Sequence, residues 1–161
     1  MKRIIFIISA ILFSASFLFS QTENVQIYNP EADAEADITA ALKQAQADNK
    51  HVLLQIGGNW CPWCVKLHGF IAADSQIDSL LKADYVTVYV NISKEKDKRN
   101  PELMASLDNP QRFGFPVLVV LNQEGERIHT QDSWYLELDK SYDREKLKHF
   151  LEMWNVASAG N

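Results

Sequence analysis

The sequence has few of the residues that cross-link or break up a chain. It contains only two cysteines, six glycines and five prolines in 161 residues. Two cysteines are too few for a disulfide scaffold, so a hydrophobic core must hold the fold together. Internal repeats and low-complexity segments are also missing. This length and composition suit one domain with a core of its own.

An excess of positive charge is missing as well. The chain has 16 Lys and Arg against 21 Asp and Glu, which gives a formal net charge of −5. The basic residues form no stripe along the sequence. An acidic chain of this kind is not expected to bind nucleic acid.

The long apolar run of the chain lies at its N-terminus. Lys2 and Arg3 precede an apolar stretch over residues 4–13, and small residues follow it. This is the pattern of a secretory signal peptide, which we predict over residues 1–20. A retained membrane anchor is the alternative, but the run is short for a span and is broken by serines.

The predicted signal peptide has consequences for the remaining chain. We expect a periplasmic or secreted protein that meets the membrane only through the signal peptide before its cleavage. Residues 21–35 are polar and are predicted to be a flexible lead-in, in which residues 26–28 can add a short edge strand. Outside the cytosol a pair of thiols can be oxidised and stay oxidised.

Hydrophobic periodicity predicts helices that alternate with strands. Helices are predicted over residues 35–50 with Asp37 as the N-cap, then over 61–73, 75–83, 100–108 and 143–157; strands are predicted over 52–56, 85–92, 115–122 and 127–131. This order predicts an α/β fold, in which a central mixed sheet is flanked by helices on both faces.

The two cysteines lie three residues apart in "WCPWC", just after a predicted strand and at the start of a predicted helix. Backbone N–H groups and the helix dipole favour negative charge there, so we expect a lowered pKa for Cys61. Cys64 is close enough to attack a mixed disulfide formed on Cys61. The spacing therefore predicts a redox-active dithiol.

Other hypotheses for the pair are less well supported. A purely structural disulfide would close a very small loop and constrain the unfolded chain little. A zinc site could add His68 to Cys61 and Cys64, but a fourth ligand is missing from the motif. A domain that binds a protein or a metal without turnover is the remaining alternative.

The motif "WCPWC" after a buried strand, followed later by "FGFPVLVVLNQEGE", resembles the thioredoxin superfamily. The resemblance covers roughly residues 49–155, and we expect a thioredoxin-like domain over 36–157. Exported thioredoxin-like domains, such as the C-terminal domain of the disulfide reductase DsbD, are similar. The resemblance implies a thioredoxin fold and a thiol–disulfide oxidoreductase that reduces or isomerises disulfides in envelope proteins. Oxidation of such proteins is the alternative direction.

The resemblance also assigns roles around the cysteines. It implies a cis bond before Pro116 and substrate pairing with the backbone of Phe115. We expect Trp60, Pro62 and Trp63 to add substrate-binding surface around an exposed Cys61 sulfur. No cofactor and no metal are implied, because the thiols carry the electrons. The expected partners are protein thiols and disulfides and a membrane redox partner.

One position departs from the family pattern. Thioredoxins carry a buried aspartate six residues before the first cysteine, and this chain has Gln55 there. Glutamine cannot take a proton from the resolving thiol, so another group or water must assist Cys64.

Overall fold

The computed structural model describes residues 26–95 and 99–160. The helices are α1 (Ala34–Asp48), α2 (Pro62–Ala73), α3 (Ser75–Asp84), α4 (Pro101–Ser106), α5 (Arg144–Met153) and α6 (Val156–Ala159). The strands are β1 (His51–Gly57), β2 (Tyr85–Asn91), β3 (Val117–Leu121), β4 (Arg127–Asp132), β5 (Glu137–Leu138) and β6 (Ser141–Tyr142). The predicted signal peptide lies outside the described residues. Within them, no helix is both long and apolar enough to cross a bilayer.

Four strands form the central sheet in the order β2-β1-β3-β4. β1 pairs with β2 in parallel and with β3 antiparallel, and β3 pairs antiparallel with β4. The predicted mixed sheet is therefore confirmed. β1 is buried along its whole length, because strands on both sides and helices on both faces cover it. Its C-terminal end delivers the chain to the cysteines.

Two apolar cores lie on opposite faces of the sheet. Because successive side chains of a strand point to opposite faces, β1 contributes Leu54 to one core and Leu53 to the other. The first core is covered by α1 and α4, and the second by α2, α3 and α5. Helices therefore flank both faces, as predicted.

The N-terminal part of the domain differs from the prediction in two ways. Helix α1 begins at Ala34, and its N-cap is Asp33, whose carboxylate accepts a hydrogen bond from the N–H of Ala36 at 3.0 Å. Asp37 lies inside the helix, so the predicted N-cap was wrong. No strand forms over residues 26–28. Tyr28 is instead 1% exposed, so this part of the expected flexible lead-in is packed against the domain.

The C-terminal region contains an element that the sequence pattern did not indicate. Strands β5 and β6 form a small separate hairpin after β4. Helix α5 begins at the N-cap Asp143, whose carboxylate accepts hydrogen bonds from two backbone N–H groups. The predicted last helix is interrupted after Met153, and α6 follows as a separate short helix.

A histidine on β4 makes the stability of the fold depend on pH. The ring of His129 stacks on Trp154 with the centroids 4.0 Å apart. Burial, and to a smaller extent the charge of Arg127, lower the pKa of His129 below its ordinary 6.5. The unfolded chain therefore takes up this proton first as the pH falls below 6.5, and the stabilisation present above that pH is lost.

We expect the urea midpoint of the wild-type protein to fall as the pH decreases through 6.5. His129→Gln should show a smaller decrease over the same range, because its side chain does not titrate. His149→Gln on α5 is the control, since His149 is exposed. Equal slopes for wild type and His129→Gln would contradict this assignment.

Candidate active site

Cys61 and Cys64 are joined in a disulfide, with their Cα atoms 5.2 Å apart. Cys61 is the N-cap of α2, and its sulfur accepts a hydrogen bond from the N–H of Cys64 at 3.1 Å. Pro62 occupies the first helical position, where a missing N–H costs nothing. The sulfur of Cys61 therefore lies where the free N–H groups of the helix favour negative charge.

The sulfur of Cys61 is less exposed than the motif alone suggested. Cys61 is 4% exposed and Cys64 is completely buried. Trp63 and Phe115 pack against the pair, which explains the low exposure in the disulfide form. The Cys61 sulfur lies 3.5 Å from the carbonyl oxygen of Phe115. Cys61 is therefore the one cysteine of the pair that has any exposed surface.

The bond between Phe115 and Pro116 is cis, which confirms the expectation drawn from the resemblance. Pro116 is buried and directly precedes β3. The Phe115 ring makes an edge-to-face contact with Trp60, with the centroids 5.7 Å apart. The predicted residues Trp60, Phe115 and Pro116 therefore lie together beside Cys61.

A groove lined in part by Phe115 carries positive charge. This cationic groove has a volume of about 630 Å³ and is lined by Trp60, Phe115, Met104, Lys94 and Arg99. Trp60 is 40% exposed. Its indole N–H donates to the carbonyl oxygen of Ile92 at 2.7 Å, which fixes the ring beside the cysteine pair.

A second groove, which shares Phe115 with the cationic groove, carries negative charge. This acidic groove has a volume of about 490 Å³ and is lined by Trp63, Phe115, Trp134, Asp132, Glu137 and Asp139. Burial and the nearby charge of Asp132 raise the pKa of Glu137. Trp134 is 74% exposed. The Trp63 ring is half buried and makes an edge-to-face contact with the Tyr142 ring.

Gln55 lies in the core behind the disulfide, at the position where thioredoxins carry an aspartate. It is 2% exposed. Its amide nitrogen donates to the hydroxyl oxygen of Tyr28 at 2.9 Å and to the carbonyl oxygen of Cys64 at 3.4 Å. Tyr28, Cys61 and Cys64 form one buried cluster.

Asn59 holds the N-terminal segment against the active-site loop. Its side-chain oxygen accepts hydrogen bonds from the N–H groups of Ile27 and Tyr28 at 2.9 and 3.0 Å. Its amide nitrogen donates to the carbonyl oxygen of Tyr28 at 2.7 Å. The sequence pattern did not indicate a role for Tyr28 or Asn59. The pattern gave one weak signal, an aromatic residue within a polar segment.

His68 does not join the cysteines. Its Nδ1 atom lies 3.1 Å from the hydroxyl oxygen of Tyr89, and the two rings meet edge to face. Within residues 26–95 and 99–160, no group of three or more His, Cys, Asp or Glu side chains is arranged to hold a metal ion.

The fold and the disulfide at the start of α2 define a dithiol–disulfide site of the thioredoxin type. The family model of the thioredoxin-like domain matches residues 38–132. The chain belongs to this family. With a CxxC disulfide at this position in the fold, it is a thiol–disulfide oxidoreductase.

Comparison with individual proteins agrees with this assignment. The chain is 28% identical to the disulfide bond reductase DsbH of Chlamydia pneumoniae over 116 residues, which are 66% of this chain and 68% of that protein. The disulphide isomerase of Xylella fastidiosa Temecula1 superposes with a TM-score of 0.69 at 24% identity, over 79% of this chain and 95% of that one. The C-terminal domain of Neisseria meningitidis DsbD in its reduced form superposes with a TM-score of 0.50 at 20% identity. This match covers 75% of this chain and 96% of that domain. The two structural matches support the fold.

Proposed function

We propose that this protein is exported and uses Cys61 and Cys64 to reduce or isomerise disulfides in proteins outside the cytosol. The observation that carries the proposal is the position of the Cys61 sulfur, at the start of α2 and 3.5 Å from the carbonyl oxygen of Phe115. Export is supported by the N-terminal signal pattern. The similarity to a disulfide bond reductase and a disulphide isomerase supports reduction or isomerisation over oxidation.

In the reduced protein, the Cys61 thiolate attacks one sulfur of a substrate disulfide. That disulfide breaks, its other sulfur leaves as a thiolate, and a mixed disulfide joins Cys61 to the substrate. Cys64 then loses its proton and attacks the Cys61 sulfur, and the substrate sulfur leaves with the electron pair. The substrate has gained two electrons, and the Cys61–Cys64 disulfide of the structure is formed. A membrane redox partner is proposed to reduce it again.

The two grooves beside Phe115 are proposed to hold the substrate polypeptide. A segment that pairs with the Phe115 backbone would place its cysteine at Cys61, with one flank in each groove. Trp60, Pro62 and Trp63 would contact the residues around that cysteine. The groove charges would favour a substrate with an acidic residue on one flank and a basic residue on the other.

Two assays test the proposed activity and its direction. The purified protein should accelerate the reduction of insulin by dithiothreitol, and the Cys61→Ser/Cys64→Ser variant should not. An isomerase should in addition restore activity to ribonuclease with scrambled disulfides. Equal insulin reduction with and without the wild-type protein would contradict the proposal and favour a domain that binds a partner without turnover.

Trp60→Ala tests the proposed substrate surface. We expect KM for a protein disulfide to rise roughly fivefold to tenfold, because truncating a central aromatic contact at an interface costs about 1 kcal/mol or more. The rate with a small aromatic disulfide should stay unchanged, since such a substrate does not fill the groove. Steady-state kinetics with both substrates measure the difference.

Met153→Ala is the matched control for Trp60→Ala. Met153 is also an exposed apolar side chain, at 47%. It lies at the opposite end of β1, because the neighbouring Trp154 carbonyl contacts His51, the first residue of that strand. An equal rise in KM for both variants would remove Trp60 from the proposed surface.

A further inference from the structure

The hydroxyl group of Tyr28 lies beside the cysteines and has no role in the steps described above. Its oxygen accepts a hydrogen bond from the Gln55 amide at 2.9 Å. Because the amide supplies that hydrogen, the hydroxyl keeps its own hydrogen for another acceptor. Burial raises the pKa of Tyr28 well above its ordinary value of 10.0. The hydroxyl therefore stays protonated and can act as a donor but not as a base.

The Tyr28 hydroxyl and the Cys64 sulfur both lie close to Gly57. A Cβ atom on Gly57 would lie 2.5 Å from the Cys64 sulfur and 2.9 Å from the Tyr28 hydroxyl oxygen. Both atoms therefore pack closely against Gly57, in the space that a Cβ atom would need. A larger residue at position 57 would push the sulfur and the hydroxyl apart.

We propose that Tyr28 donates its hydroxyl hydrogen to the Cys64 sulfur once the disulfide has opened, and so stabilises the thiolate that attacks the mixed disulfide. This inference rests on the proposed role of Cys64 as the resolving cysteine. Tyr28 would thus act where thioredoxins use an aspartate, but by donating a hydrogen bond rather than by accepting a proton.

The resolving step balances without a further reactant. The Cys64 thiol releases its proton to water, and the thiolate accepts the hydrogen bond from Tyr28. The thiolate attacks the Cys61 sulfur, the bond from Cys61 to the substrate breaks, and the leaving substrate sulfur takes up a proton from water. Tyr28 itself is unchanged at the end.

The surroundings hold the Tyr28 side chain in place. Asn59 forms hydrogen bonds with both the backbone N–H and the backbone carbonyl of Tyr28. The Tyr89 ring contacts the Tyr28 ring edge to face, with the centroids 5.7 Å apart. The other titratable groups nearby are His68 on α2, whose ring contacts the Tyr89 hydroxyl, and Tyr142, which interacts electrostatically with Tyr28. Tyr89 therefore offers a matched control, because its hydroxyl belongs to the same region but is engaged with His68.

The test uses the reduced protein and the chromogenic aromatic disulfide DTNB in a stopped-flow instrument. Attack by Cys61 gives a first phase whose rate increases with DTNB concentration. Attack by Cys64 gives a second phase that is independent of DTNB concentration. Tyr28→Phe should slow the second phase about threefold to fourfold at neutral pH and move the midpoint of its pH profile upward by about one pH unit, because the smaller thiolate fraction is partly offset by a more nucleophilic thiolate. The first phase should change by less than about twofold, and Tyr89→Phe should leave both phases near the wild-type rate.

A second comparison covers the case in which Tyr28→Phe fails to fold because the Gln55 amide loses its hydroxyl partner. Gln55→Leu and Tyr28→Phe/Gln55→Leu differ only in the hydroxyl, and the double variant leaves no unpaired amide. The double variant should again be about threefold to fourfold slower than Gln55→Leu in the second phase. The role of Tyr28 would be overturned if the rate of the second phase were equal in the wild type and Tyr28→Phe, or equal in Gln55→Leu and the double variant. Absence of a second phase in the wild-type protein would instead overturn the proposed role of Cys64, on which the inference rests.

Discussion

Replacing Cys61 by serine is expected to reduce disulfide-reductase activity to the uncatalysed rate. Cys61 is the cysteine whose sulfur lies at the helix start beside the Phe115 carbonyl, and a serine hydroxyl is not ionised at neutral pH. Cys64→Ser should behave differently. It should still form mixed disulfides through Cys61, but it should not release them, because the second thiol is missing. Non-reducing gels of cells that express each variant measure the trapped species.

The contrast between the two variants is the informative result. Trapped, reducible adducts should appear with Cys64→Ser and should disappear in the Cys61→Ser/Cys64→Ser control. Adducts that form equally well with Cys61→Ser would reverse the assignment of the attacking and resolving cysteines. A complex that survives in the double variant without a covalent bond would favour the non-catalytic binding module.

Leu54→Ala should lower the free energy of unfolding by about 3 kcal/mol, within a range of about 2–5 kcal/mol for buried leucines. Leu54 is completely buried in the middle of β1, where it faces the core covered by α1 and α4. Truncation leaves a cavity between the strand and these helices. Urea unfolding of the oxidised protein with an unchanged m-value measures the loss.

Leu138→Ala provides the same chemical change at a different site. Leu138 is 54% exposed on the β5–β6 hairpin, so its truncation should alter the stability by less than about 0.5 kcal/mol. Equal losses for the two leucines would contradict the described core.

The sheet and the position of the cysteines could be predicted because their signals are local. The buried strands are short β-branched and aromatic runs, and Pro62 marks the first turn of α2. The cis bond at Pro116 came from the family resemblance rather than from the residues themselves. It could be expected only after the CxxC motif and the later Phe-Pro had been considered together.

The contribution of Tyr28 could not be predicted, because it depends on contacts between distant parts of the chain. The Tyr28 hydroxyl contacts the amide of Gln55, which lies 27 positions further along the chain. The segment around Tyr28 is polar and without periodicity. The start of α1 was misplaced for a local reason. Asp33 and Asp37 are both good capping residues just before apolar helical positions, and only the observed hydrogen bond from the Ala36 N–H distinguishes them.

The β5–β6 hairpin and the acidic groove were missed for a similar reason. Each strand of the hairpin has only two residues, which is too short for a period-two pattern to appear. Asp139, at the turn, has a φ of 54°. The acidic groove combines this region with Trp63 and Phe115, so it exists only in the folded chain.

The equilibrium reduction potential of the Cys61–Cys64 couple tests the redox role of this disulfide most directly. The purified oxidised protein is equilibrated with mixtures of reduced and oxidised glutathione, and the dithiol fraction is measured by alkylation. We predict one reversible two-electron transition, at a potential within the span of thioredoxin-fold oxidoreductases, roughly −270 to −120 mV. A disulfide that stays closed under all these conditions, with a potential below roughly −300 mV, would contradict this role, because such a bond would be structural.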